Sequence, residues 1–113
     1  MASLNIYPIA QYLSKVISGA CFGADPAQIM IVRDLVMATA KGERTINPKF
    51  FGKDRGASEK LVVDSIDLGE RQGVLAVEYK ENAKGYPVML VKPTEEILSQ
   101  LQEAKDEAAA RFR

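Results

Sequence analysis

Residues 58–97 read SEKLVVDSIDLGERQGVLAVEYKENAKGYPVMLVKPTEEI, and the expected architecture follows from them. Ser58 is a good helix cap, and apolar residues at 61, 62, 66 and 68 follow at helical spacing. Gly73 stops this helix, and two runs with strand character follow at residues 74–80 and 86–92. Residues 81–85 (ENAKG) form the turn between them, so the stretch predicts a helix followed directly by a β-hairpin.

The two strands of this hairpin show the alternation expected of a sheet. Leu75, Val77 and Tyr79 share one face of the first strand, and Tyr86, Val88 and Leu90 share one face of the second. Pro87 has no N–H to donate to a ladder, which predicts that the second strand lies at a sheet edge.

Four further helices are predicted on either side of residues 58–97. Apolar residues at three- and four-residue spacing predict a first helix over residues 5–18, with a proline in its first turn. Asp25 and Pro26 open a second helix that runs to about Ala40. Asn47 and Pro48 open a short third helix. Thr94, followed by two glutamates, opens a last helix over about residues 94–112.

Composition limits both the fold and the function. A chain of 113 residues with 47% hydrophobic residues fits one domain, here residues 1–113. It has no histidine and one cysteine, so we expect neither a zinc site nor a histidine-based nucleophilic mechanism, and we expect no enzyme and no cofactor. Cys21 lies in an apolar setting that favours a role as a small hydrophobic residue. No signal peptide or membrane span is predicted, and a cytoplasmic protein is expected.

The order of these elements resembles a winged helix-turn-helix domain of the bacterial transcription-regulator type. The polar cap, spaced apolar residues, glycine stop and apolar entry into the hairpin match at Ser58, Val62, Ile66, Gly73, Val74 and Leu75. The return strand and the following helix start, residues 88–96, are also similar. The resemblance covers about residues 26–97 and implies a mostly α fold with a small β-hairpin (α+β), a winged helix-turn-helix with an added N-terminal helix and a C-terminal helix. Gly69 departs from the pattern, and we expect the helix to end or bend early there.

The resemblance implies DNA binding, as a transcriptional regulator or a DNA-organising factor. The helix over residues 58–71 would enter the major groove, and the hairpin loop would reach phosphates or the minor groove. Six basic residues lie within residues 41–60, the most basic part of the chain. The residues expected to contact double-stranded DNA are Lys49, Lys53, Arg55, Ser58, Lys60, Lys80 and Lys84.

A second interpretation is a winged-helix module that binds another protein and no nucleic acid. The helix expected to read DNA carries Glu59, Asp64, Asp67 and Glu70 at outward positions, which suit a basic partner better than an anionic one. The chain has 15 basic and 15 acidic residues, so no global positive field attracts it to DNA. The basic stretch itself is either a nucleic-acid face or a solvated loop.

The last helix carries a narrow apolar stripe that requires a partner helix. The stripe packs either on the first helix of the same chain or on its copy in a second chain, and we expect a homodimer, the most common closed oligomer. The residues expected at the dimer contact are Ile97, Leu101, Ala104, Ala108 and Phe112. Phe50 and Phe51 could stack on bases, although at least one of them is expected in the core.

Overall fold

The computed structural model of the chain describes residues 6–40, 42, 44–85 and 87–111. These residues form α1 (Ile6–Ala20), α2 (Pro26–Thr39), β1 (Arg44–Ile46), α3 (Pro48–Lys53), α4 (Glu59–Arg71), β2 (Leu75–Glu81), β3 (Pro87–Pro93) and α5 (Glu95–Arg111). The fold is α+β, mostly helical with a small antiparallel sheet, and its element order is that of a winged helix with one added helix at each end. The predicted fold class is confirmed.

Side chains cap the helices where the sequence predicts helix starts. Asp25 Oδ1 accepts a 2.8 Å hydrogen bond from the amide two residues later, with proline at the first position of α2. Asn47 Oδ1 accepts from the second and third amides that follow it, at 3.0 and 3.3 Å. Ser58 Oγ accepts from the third, at 3.1 Å, so each cap satisfies an amide that the helix itself leaves without a partner.

The end of α4 shows why a glycine stands on its inner face. The predicted stop at Gly73 is confirmed, because α4 continues past Gly69 to Arg71 and the chain then turns at Gly73, where φ is +73°; of the early end or bend expected at Gly69, the early end is wrong. A Cβ on Gly69 would lie 2.6 Å from Cδ1 of Leu75, which is itself buried. Gly69 therefore leaves room for the first side chain of β2 to pack against the helix that precedes it.

The sheet contains a third strand, β1, that the sequence pattern does not predict. Its order is β1–β3–β2, and both pairs are antiparallel. The prediction that Pro87 marks an edge strand is wrong, because β3 is the central strand. The register explains how proline is tolerated: β1 ends opposite Met89, so Pro87, the first residue of β3, has a strand neighbour only on its β2 side, opposite Glu81. Its missing N–H costs no bond to β1.

The core lies between the helices and one face of the sheet. Val32 and Leu35 of α2, Val62 of α4 and Val91 of β3 are all fully buried in it. α2 packs on α4 and on β3, and α5 packs on α1. Among the described residues, none of the helices is both long enough and apolar enough to cross a membrane.

Candidate nucleic-acid interface

The helix-turn-helix is formed by α3, a tight turn and α4. The amide of Ala57 donates to the carbonyl of Gly52 at 2.8 Å, which closes the turn, and Gly52 is buried beneath it. The hairpin loop between β2 and β3 is also ordered by local bonds, because the Lys84 amide donates to Oδ1 of Asn82 at 2.9 Å. The helix-turn-helix and the loop are thus the two parts that the winged-helix resemblance assigns to DNA.

Arg55, one of the expected DNA contacts, bonds to its own chain in this structure. Its Nε donates to Asp34 Oδ2 at 3.3 Å, and a terminal nitrogen donates to the Phe51 carbonyl at 3.3 Å. The guanidinium also lies over the Phe51 ring, 3.6 Å from the centroid. These contacts fasten the turn to α2, since Asp34 belongs to that helix and Phe51 to α3.

Four of the other expected DNA contacts are exposed lysines. Lys49 and Lys53 lie on α3, Lys60 lies in the first turn of α4, and Lys84 lies on the hairpin loop. Within the described part of the chain, none of these four ammonium groups forms an ion pair. They are therefore open to an external anion, and they occur both on the helix-turn-helix and on the hairpin loop.

Two expected contacts have internal partners. Lys80 Nζ lies 3.5 Å from Glu78 Oε1 on the same strand, so part of its charge is compensated. Ser58 is exposed, and its hydroxyl caps α4. Because an exposed ion pair contributes at most about 1 kcal/mol, Lys80 can exchange Glu78 for another anion at small cost.

The outward side of α4 is acidic, as the spacing of its carboxylates predicts. Glu59, Asp67 and Glu70 are exposed, and Asp64 is half-buried. Arg71 compensates one of these groups, because its Nε donates to Asp67 Oδ2 at 2.9 Å. The helix that the resemblance places in the major groove thus carries more negative than positive charge.

The aromatic and thiol groups behave differently from one another. Phe51 packs against the core, as expected of at least one of the two phenylalanines, whereas Phe50 is 63% exposed. Cys21 is 1% exposed, and burial raises the pKa of its thiol. Cys21 is thus a core residue with a suppressed thiolate, in keeping with its expected packing role.

The apolar stripe of α5 faces α1 of the same chain along at least part of its length. Ile97 and Leu101 are buried in the single chain, at 2% and 4% exposure, and Ala104 is half-buried. The side chain of Ala108 and the whole of Phe112 lie outside the described residues. The homodimer stays a prediction, and Ile97 and Leu101 already have a partner without it.

Two features of the candidate interface were not among the residues predicted from the sequence. Asp34 accepts from Arg33 at 3.4 Å as well as from Arg55, so one carboxylate serves two guanidiniums from separate parts of the chain. No local pattern signals such a contact, since Arg55 lies 21 residues after Asp34. Val63, in contrast, stands four residues from both Glu59 and Asp67 on the polar side of α4, and this spacing alone predicts an exposed apolar residue.

Within the residues that the structure describes, no group of three or more carboxylate, thiol or imidazole side chains is arranged to hold a metal ion. The candidate site consists of exposed lysines on α3, at the start of α4 and on the hairpin loop, together with the acidic outward side of α4.

Comparison with known proteins gives a likeness of fold. No protein-family model matches the chain, and no curated protein matches it. A solved structure described as a "possible transcriptional regulator" from Methanosarcina mazei Go1 superposes with a TM-score of 0.58, covering 87% of this chain and 79% of that one. The two sequences are 14% identical over the match, so the likeness extends to the fold alone.

Proposed function

We propose that this chain is a DNA-binding transcriptional regulator that contacts the phosphates of double-stranded DNA through Lys49, Lys53, Lys60 and Lys84. The observation that carries the proposal is the placement of four exposed lysines, unpaired among the described residues, on the helix-turn-helix and the hairpin loop, the two parts that the winged-helix resemblance assigns to DNA. Each lysine that neutralises a phosphate releases a condensed counterion, which favours binding at low salt. The likeness of fold to a protein described as a possible transcriptional regulator supports the same role.

In this proposal Arg55 has a structural role and is not a phosphate contact. Because its guanidinium bonds to Asp34 and stacks on Phe51, we assign it to holding the helix-turn-helix against α2. DNA contact then depends on the lysines, and the acidic outward side of α4 offers few side chains suited to reading bases. A DNA-organising factor would use the same phosphate contacts without a preferred site.

The test is binding of the purified chain to random 30-base-pair DNA, measured by fluorescence anisotropy at several salt concentrations. Four phosphate contacts predict that log K falls with log salt at a slope of roughly −3.6. Lys53→Glu should weaken binding and make the slope shallower, whereas Lys15→Glu, the same charge change on α1, should leave both unchanged. No binding at 50 mM salt, or equal effects of the two substitutions, would contradict the proposal.

The acidic face of α4, residues 59–70, favours a second candidate function, which is binding to a basic region of another protein. Glu59 and Glu70 are exposed and, among the described residues, have no cationic partner within an ion-pair distance. Carboxylates that face outward from the expected reading helix repel DNA phosphates but attract lysine and arginine side chains. Both candidate functions use the outward side of α4, so a single chain would perform only one of them at a time.

A further inference from the structure

An open groove separates α4 from the hairpin, and two of the apolar side chains that line it are exposed to solvent. Tyr79 of β2 is 66% exposed, and Val63 of α4 is 43% exposed. Both line the same groove of about 440 Å³, together with Thr45, Ile46, Asn47, Pro48, Glu59, Val88 and Met89. Exposed apolar side chains that are scattered singly need no explanation, but side chains gathered in one concave surface indicate a binding site.

The register of the sheet explains why this groove is left open. Tyr79 pairs with Met89 and Val77 with Val91, so these four side chains lie on one face, the face that packs on the helices. Val91 is fully buried and Met89 is half-buried, so the burial of this face of the sheet decreases along the strands towards the hairpin loop. The inner face of the hairpin therefore extends beyond the helices that cover its base.

The charged side chain that lines the groove is negative. Glu59 is the one charged residue among the described residues that line it. Spacings of four, four and three residues align Glu59, Val63, Asp67 and Glu70 along one stripe of α4.

From these observations we propose that the groove binds a basic peptide segment of another protein, with one large apolar side chain seated against Tyr79 and Val63 and with neighbouring lysine or arginine residues facing the acidic stripe of α4 that begins at Glu59. The apolar lining supplies the anchor site, and the carboxylates supply charge complementarity. A second copy of this chain fits less well, because a two-fold contact through this face would bring the same carboxylates together. The inference specifies the second candidate function and does not depend on DNA binding.

The test selects ligands from a phage-displayed library of random 12-residue peptides on the immobilised full chain, then measures the affinity of the enriched peptides as synthetic compounds. The proposal predicts peptides with an aromatic or large aliphatic residue next to at least two basic residues. Tyr79→Ser should weaken their binding by at least about tenfold, the effect of truncating an aromatic residue at the centre of a binding site. Glu59→Lys should weaken it by about fivefold, the upper range for an exposed ion pair.

Matched controls separate the groove from the rest of the surface. Phe22→Ser removes an aromatic ring that is 94% exposed outside the groove, and Glu107→Lys reverses an exposed charge on α5; neither should change the affinity. If Tyr79→Ser lowers the melting temperature of the chain, Val63→Ser is used in its place, because Val63 lines the same groove. No enrichment, enrichment of acidic peptides, or unchanged affinity in the groove variants would overturn the proposal. The DNA measurement is separate, so the failure of one proposal is distinguishable from the failure of the other.

Discussion

The turn between α3 and α4 offers a test of the packing argument through Gly52→Ala. A Cβ at this position would lie 2.5 Å from the carbonyl oxygen of Ala57 and 3.1 Å from Cγ2 of Val62. The oxygen belongs to the backbone and cannot rotate away, so the turn must open by about 0.5 Å for the contact to reach 3.0 Å. Overpacking of this kind lowers the free energy of unfolding by about 1–3 kcal/mol, and the better helix propensity of alanine offsets at most about 1 kcal/mol of this loss.

We therefore expect Gly52→Ala to lower the free energy of unfolding by about 1–2 kcal/mol, measured by urea unfolding followed by far-ultraviolet circular dichroism. The melting temperature should fall by about 4 °C for each kcal/mol lost. Gly19→Ala is the matched control, because a Cβ there meets nothing within 4 Å and α1 should gain up to about 1 kcal/mol. A Gly52→Ala protein as stable as the parent chain would refute the packing argument for this turn.

Two further substitutions test the cap of α5 and the role of Arg55. The Thr94 hydroxyl donates to the Gly73 carbonyl at 2.6 Å and accepts from the Ile97 amide at 3.2 Å. Thr94→Ala should therefore lower the free energy of unfolding in urea by about 1–2 kcal/mol. Thr94→Ser keeps the hydroxyl and both bonds, and is the control. Equal losses in the two variants would contradict the cap. Arg55→Ala should lower stability by about 1 kcal/mol through the lost ion pair and ring contact, yet change the salt dependence of DNA binding less than Lys53→Ala does. The reverse order of salt effects would make Arg55 a phosphate contact.

Local signals in the sequence predict much of this fold. Asp25, Asn47, Ser58 and Thr94 each cap a helix where a polar residue precedes a helical pattern, and Gly73 ends α4 because glycine adopts its positive φ without strain. These are interactions between near neighbours in the chain. The pattern of residues is sufficient to predict them.

Features that depend on contacts distant in sequence could not be predicted. β1 has three residues and one buried side chain, Ile46, which is too short for alternation to indicate a strand. The missing N–H of Pro87 predicts an edge strand, whereas β1 pairs with β3 only beyond Pro87 and leaves β3 central. The charge of Arg55 and the winged-helix resemblance predict a DNA contact, and its bond to Asp34 is not predictable because it forms only when α2 and the turn meet. The apolar groove likewise exists only once α4 and the hairpin lie side by side.

The most direct test of DNA contact by this face is nuclear magnetic resonance of the labelled chain, titrated with the 30-base-pair DNA at low salt. We predict that the largest amide shifts fall in α3, the first turn of α4 and the hairpin loop, around Lys49, Lys53, Lys60 and Lys84, and that these shifts reverse as salt is added. Shifts confined to α1 and α5, or none under conditions where DNA is in excess, would contradict the account.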